Sequence, residues 1–493
     1  MDADERRPVA AILDGPRPPA WQARALELLT ASPRVRVVRV GLADAAPSPK
    51  LGRAHRALDR RLLRAGVDPL TPVDVPRLAQ EGEPELTVWL AAAEPDLAGD
   101  VVRLRYGPAA VGVEGAFRAA LASGSDVVEI EARLERRDAP PLVLARGVTA
   151  VRPFSLAAGV DAALWRSAVL ACRAAESPGA GEPVAPAAAP GAADDPLFYA
   201  RSLARWSRVL GVRLAYRRPW RVLVRERGDD PLGDWGPDEG LVRWEPGHSY
   251  ADPFLFEHEG RHHLFCEHVR AGTGRGVVSH VELEPGGRAR EPVPVLETDG
   301  HLSYPFVFAW GGEVWLIPEE AAEERVRLFR ATSFPRRWEL ERVLLDGVPA
   351  ADTTLLERDG RWWLFTSLGP RGATLGEELH LFTAATPLGP WEPHPASPVV
   401  ADIRGGRSAG AFLDDGSRLI RPAQDASRRY GWAVSFREVV ELTTEAYVER
   451  EVGRLEPGHV PGVRAVHTYA RDSRFEAIDV RRREPRLSLR RGR

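Results

Sequence analysis

The hydrophobic period of this chain changes partway along. Up to about residue 175, short apolar runs alternate with amphipathic stretches. PVAAIL (8–13) reads as a buried strand, 21–29 as a helix and 34–40 as a strand again. HRALDRRLL (55–63) sets Leu58, Leu62 and Leu63 on one helical face. Residues 85–90 and 100–104 predict further strands and 115–121 a helix. Residues 127–134 and 142–146 predict an antiparallel pair, and 164–174 a closing helix. Strands alternating with helices define an α/β domain over 1–175, opening like a doubly wound, Rossmann-type sheet.

From Trp220 the period is two to the end. YADPFLFEHEGRHHLFCEH (250–268) reads as two strands around a Glu259-Gly260 turn, with Asp252 near one outer end and Glu267 near the other. Weaker copies follow at SYPFVFAWGGEVWLIPEE (303–320), ADTTLLERDGRWWLFTS (351–367) and SAGAFLDDGSRLIRPAQD (408–425). Asp252, Tyr304 and Asp352 stand 52 and 48 residues apart. Paired strands at a period near ~50 residues indicate propeller blades. Four copies plus the alternating tail 466–483 fit a five-bladed all-β propeller over 220–485. Between the two domains, ESPGAGEPVAPAAAPGAADDP (176–196) is a Pro/Ala/Gly linker. Residues 197–219 form a connecting basic helix with Leu203, Trp206, Leu210 and Leu214 on one face. It either packs on the next domain or, over 201–218, makes a peripheral contact with an anionic membrane.

Composition narrows the function. The 493 residues carry 67 basic and 70 acidic side chains, a net charge of -3, which excludes a duplex-binding protein and leaves no nucleic-acid partner. Lys50 is the single lysine, so lysine-based covalent or phosphate-loop chemistry lacks a candidate, and there is no asparagine at all. Cys172 and Cys266 lie in different domains with no metal spacing, consistent with free thiols; no metal or cofactor is expected. No signal segment or run of about 18 apolar residues is visible, so the expected location is cytoplasmic.

In a propeller the innermost strand of each blade faces the central channel. Asp252 and Asp352 open equivalent repeats, while Glu267, Glu319 and Glu320 end second strands. Carboxylate pairs facing a cleft suit glycoside chemistry, one as acid and one as base or nucleophile; the plainer reading of Asp252 is a turn cap before Pro253. The catalytic candidates are therefore Asp252, Glu267, Glu319 and Asp352, with His248, Tyr250, Tyr304 and Glu320 beside them as binding residues. RSAGAFLDDGSRLIRPAQDASRRYGWAV gathers Arg407, Arg421, Gln424, Asp425, Arg429 and Tyr430, and His467 follows in the tail. Guanidinium groups beside aromatic rings suit a phosphate or carboxylate on a sugar, or else tie the last blades together.

Two resemblances sharpen this picture. VAAILDG, HRALDRRLLR, RLRYGPAAVGVEGAFRAAL and VVEIEARLERRDAPPLVLARG resemble, in order, the formyltransferase fold over about 170 residues. That family transfers a formyl group with an Asn, a His and an Asp; here there is no Asn, and Pro108 and Ala109 stand where the His is wanted. The resemblance implies a degenerate domain, with residual formyl or acyl transfer as the alternative. The repeats, together with RPAQDASRRYGWAV, resemble the N-terminal propeller domain of glucosamine inositolphosphorylceramide transferases in its bacterial form, over about 218–483. That domain is related in fold to five-bladed furanosidases of the glycoside hydrolase family 43 type and to levansucrases, which use a first-blade Asp, a second Asp that tunes the acid, and a Glu acid. Asp252 matches the first, but Tyr304 stands at the second-blade position, which argues against ordinary hydrolysis. The resemblance implies a transferase-associated, carbohydrate-binding or carbohydrate-processing protein of glycan biosynthesis. Its partners are then a sugar, sugar phosphate or glycolipid head group and a separate glycosyltransferase. The alternative is a glycosidase or transglycosidase.

Overall fold

The computed structural model describes residues 6–43, 56–57, 59–61, 67–75, 82–93, 99–107, 112–152, 155–177, 181–184, 204, 207–208, 210–212, 214–228, 235, 244–245, 247–284, 291–369 and 375–485. The chain divides into two compact units, residues 1–209 and residues 210–370 with 375–493.

The first unit is built on a seven-stranded mixed sheet. Its strands are β1 (Arg7–Asp14), β2 (Val35–Ala43), β3 (Leu86–Trp89), β4 (Val101–Tyr106), β5 (Val127–Glu135), β6 (Leu142–Ala150) and β7 (Glu182–Pro183). They lie in the order β2-β1-β3-β4-β5-β6-β7. Strands β1 to β4 pair in parallel and β4 to β7 antiparallel. The pattern of strands matches expectation, except that β7 lies inside the predicted linker and extends the sheet edge. The closing helix is longer than its periodicity shows, running Leu156–Glu176. Its first turns are rich in Ala and Gly, which blurs the apolar contrast, yet they are buried. The Ser155 hydroxyl caps the helix by accepting from Ala158 N at 3.0 Å, and a Cβ at Gly159 would sit 2.5 Å from the Phe117 ring. The turn holding Pro108 and Ala109 lies outside the described residues. So do most of the linker and part of the basic helix, of which 204, 207–208, 210–212 and 214–215 are described and helical. Among the described residues no helix is long and apolar enough to cross a membrane.

The second unit is a five-bladed propeller. Four sheets follow one another along the chain, opened by the strands Ser249–His258, Ser303–Trp310, Ala350–Arg358 and the short Leu413–Asp414. The fifth is shared between the two ends of the unit: Ala465–Arg471 pairs with Phe475–Arg481, and that strand pairs with Trp220–Glu226, which closes the ring. The hairpin turns follow from sequence. Glu259-Gly260, Gly311-Gly312 and Asp359-Gly360 all have positive φ at both central residues, the turn whose twist matches paired strands. Between the blades, Phe254, Phe265, Tyr304, Phe306, Trp315 and Leu328 belong to one buried cluster. Each such side chain contributes roughly 1.5–3 kcal/mol by leaving water.

Candidate functional site

Four of the five blades are interrupted at the same place. The first strand slips register between Ala251 and Phe254, Ser303 and Phe306, Ala351 and Thr354, and Val466 and Tyr469. Within these bulges Asp252, Tyr304 and Asp352 adopt φ of 49°, 42° and 53°, and Gly410, the fourth repeat's equivalent, 144°. A non-glycine residue in this region carries strain of about 1–3 kcal/mol, held in place by the surrounding structure. The bulges bring the residue that opens each repeat into one buried network.

Its first half is a row of ionisable groups. The carboxylate of Asp252 accepts from the Tyr304 N–H at 3.2 Å and lies 3.3 Å from His467 Nε2. His467 Nδ1 in turn lies 2.7 Å from Asp479 Oδ2; it is not aligned as a hydrogen bond, so the two attract as charges. Asp479 is fixed by the backbone N–H groups of His467 and Thr468, both at 3.0 Å, and of Asp252 at 2.9 Å. The Thr468 hydroxyl stands 2.9 Å from Asp252 and 3.2 Å from Asp479, and its one proton serves either. Trp220 stacks on the His467 ring at 4.0 Å between centroids. Burial, with the charges of Glu267, Asp479 and Asp352, pushes Asp252 up to about 7 against the pull of His467. Burial depresses the His467 imidazolium, but Asp479 and Asp252 outweigh it and raise the group to about 8. The pair therefore exchanges protons near neutral pH. Asp252, His467 and Asp479 also converge closely enough to ligate a cation, although Asp479 is already engaged by backbone donors.

The second half centres on Arg407. Its guanidinium holds Asp352 through Nε at 2.5 Å and Nη2 at 3.1 Å, and reaches Glu319 at 2.9 Å. Gln424 adds a hydrogen bond to Asp352 at 2.6 Å. Burial raises Glu319 well above the usual carboxylate range, a rise that Asp352 reinforces and Arg407 opposes. Tyr430, 45% exposed, presents its ring to Arg407 at 5.6 Å and to His467 at 5.5 Å, joining the two halves. At the rim, Glu267 pairs with His301 at 2.9 Å, and that bond raises the histidine. The floor, Asp252, Asp352 and Asp479, is buried, and the rim, Tyr430 and His301, is open to solvent.

Asp252, Glu267, Tyr304, Glu319, Asp352, Arg407, Tyr430 and His467 thus belong to one site. The other candidates fall elsewhere. Glu320, just past the end of the strand Glu313–Glu319, is buried with Arg327 at 2.6 Å. Arg421 is consumed by Glu449, with two bonds of 2.8 Å, and by the Gly405 carbonyl. Asp425 caps Ser427 N and pairs with Arg454, while Arg429 lies over Trp432. His248 and Tyr250 sit against His268 on the first blade. Asp479, Trp220 and His301 escaped the sequence reading. The signal for Asp479 was present, an acid between Ile478 and Val480 towards the apolar centre of a strand.

A five-bladed propeller with an ionisable, acid-lined opening is what this fold and site define. Residues 244–481 match a family described as glucosamine inositolphosphorylceramide transferase 1, N-terminal. Glucosamine inositolphosphorylceramide transferase 1 of Oryza sativa subsp. japonica is 38% identical over 209 residues, covering 41% of this chain and 28% of the relative. Its counterpart in Arabidopsis thaliana is 35% identical over 212 residues, 42% and 28% respectively. The chain thus spans little more than a quarter of these relatives' length. Similar solved structures include a family 117 glycoside hydrolase of Zobellia galactanivorans, at 11% identity and a TM-score of 0.36, covering 52% of this chain and 90% of that one. Another is the GH62 α-L-arabinofuranosidase catalytic domain of Coprinopsis cinerea, at 14% identity and 0.36, covering 54% and 97%.

Proposed function

We propose that the propeller binds, at this opening, a charged or phosphorylated sugar used in glycan or glycolipid assembly. The observation that carries this reading is Arg407, clamped between Asp352 and Glu319 beneath the half-exposed Tyr430 ring. Nε and Nη2 of the fork are held by the two carboxylates, and the Nη1 edge, which takes part in neither pair, beside an aromatic face suits a sugar bearing an anionic group. The similarity to relatives named as transferases supports a role tied to glycosyl transfer, with a separate glycosyltransferase as partner. A calorimetric screen of the full chain against sugar phosphates, nucleotide sugars and neutral glycans tests it. Binding that weakens in Tyr430→Ala is expected; binding indifferent to that change, or none across the panel, rejects the reading.

A second reading is glycoside cleavage or transfer, with Asp252 as base or nucleophile and Glu319 as acid. It is favoured by the burial of Glu319, which raises its carboxyl well above the usual range, the direction a general acid needs. Asp252→Asn then abolishes turnover of a glycoside while binding persists. The first unit we read as a degenerate formyltransferase-like domain, supported by its element order and by the lack of asparagine. Peripheral membrane contact through 201–218 is supported by the exposure of Leu210 and Leu214. The cytoplasm is the compartment we propose, supported by the two free, buried thiols Cys172 and Cys266.

A further inference from the structure

Three ligating side chains outside this site converge on the first blade. Glu245 and His248 stand in the segment that enters the blade, and His268 lies on its second strand, paired with Tyr250. His248 Nδ1 is 2.8 Å from His268 Nε2 and 2.9 Å from Glu245 Oε2. One ring nitrogen carries at most one proton, so at most one of these contacts is a hydrogen bond. If Nδ1–H donates to Glu245, it makes no hydrogen bond with His268; if it donates to His268, the carboxylate is left without a donor. His268 is buried, and its Nδ1 is bonded to the Ser279 hydroxyl at 2.9 Å. With Nδ1–H donating to Ser279, Nε2 presents its lone pair to the cluster, the outer-shell arrangement that orients a metal-bound imidazole.

We infer that Glu245, His248 and His268 form a binding site for one divalent transition-metal ion, with zinc as the probe. Two imidazoles and a carboxylate suit zinc, and with bonds of about 2.0–2.2 Å its tetrahedral ligands stand roughly 3.3 Å apart. The observed 2.8 and 2.9 Å contacts need to open by a few tenths of an ångström. Glu245 and His248 have the freedom to do so, with 47% and 19% of their side chains exposed. Binding requires a tautomer change in His248 and no net proton loss. Tyr250 stacks on His268 at 4.4 Å, and Trp244 packs on Tyr250 at 4.5 Å. Trp220 N donates to the Ser249 hydroxyl at 2.9 Å, and Arg221 bonds the His248 carbonyl. The ion therefore clasps the entry of the first blade beside the strand that closes the ring.

The test uses the full chain without a histidine tag, stripped with a chelator, then titrated with zinc by calorimetry and with cobalt(II) by visible absorption. One ion per chain is expected, with the intense visible bands of a low-coordinate cobalt site and a rise in unfolding temperature. Glu245→Gln, at an exposed position, and His248→Gln should abolish all three, while Ser279→Ala weakens binding by roughly 10–100-fold. His467→Gln should leave them unchanged. Absence of binding, or one ion retained in both Glu245→Gln and His248→Gln, overturns the inference. Binding lost in His467→Gln alone would instead assign the ion to Asp252, His467 and Asp479.

Discussion

The Tyr304 hydroxyl reaches from the second blade to the backbone of Gly410 in the fourth, 2.9 Å from its N and 3.2 Å from its O. On the way it meets Thr354 Oγ1 of the third at 2.8 Å. Tyr304 is wholly buried, and a Cβ at Gly410 would lie 2.0 Å from the Tyr469 carbonyl. A phenol thus pins three blades together. Tyr304→Phe keeps the ring but strands buried polar partners, so it is expected to cost about 1–3 kcal/mol in denaturant unfolding. An unchanged midpoint would show that the pin carries no load.

Asp252 and His467 give the propeller a pH dependence of known sign. Both hold protons in the folded state that the unfolded chain releases, Asp252 up to about 7 and His467 up to about 8. His467 therefore contributes stability that is complete below pH 6.5 and lost as pH rises through 8, roughly 2 kcal/mol. Asp252 adds stability at acid pH that is lost as pH rises toward 7. The unfolding temperature should fall between pH 6.5 and 8.5, and His467→Gln should flatten that slope. A rise over the same interval would contradict the charge pairing.

How much of this was legible beforehand follows from where the signals lie. The hairpins at 250–268, 303–320 and 351–367 announce themselves through alternation and turn dipeptides, and Asp252 and Asp352 occupy equivalent positions in their shared bulge. The last blade is harder, because its strands come from Trp220–Glu226 and from 465–481, so no contiguous copy exists to align. Asp479 and Trp220 were missed for that reason. Arg421 looked like a ligand-binding group because Glu449, its partner, is 28 residues away on an outer strand. Glu319 and Glu320 were indistinguishable as neighbours; only their partners separate an acid of the site from half of an ion pair with Arg327.

Arg407 separates charge from geometry. Arg407→Lys keeps the positive charge but loses the two-pronged grip on Asp352, and should weaken a sugar phosphate more than a neutral sugar. Arg407→Gln leaves Asp352 buried without its counter-charge, and is expected to destabilise the propeller by about 3–5 kcal/mol. Calorimetric titration and denaturant unfolding of both variants read the two effects. Equal affinity in wild type and Arg407→Lys would place the anion elsewhere.

On the acid side a different pair sets the limit. His263 Nδ1 and His280 Nε2 bond at 2.9 Å among Phe265, Phe334 and Trp338, and one ring must accept the other's proton. Burial holds His263 down to about 4 and His280 to about 3. Groups depressed on folding contribute stability that is present above their unfolded value, near 6.5, and is lost as pH falls toward 4. The propeller should therefore lose stability steeply between pH 6.5 and 4. Asp252 works in the opposite direction over part of that range, so the loss must be assigned by substitution. His280→Gln retains a partner for His263 but cannot titrate. Its unfolding temperature should fall less across pH 6.5 to 4 than that of the wild type; an identical fall would place the acid-sensitive group elsewhere.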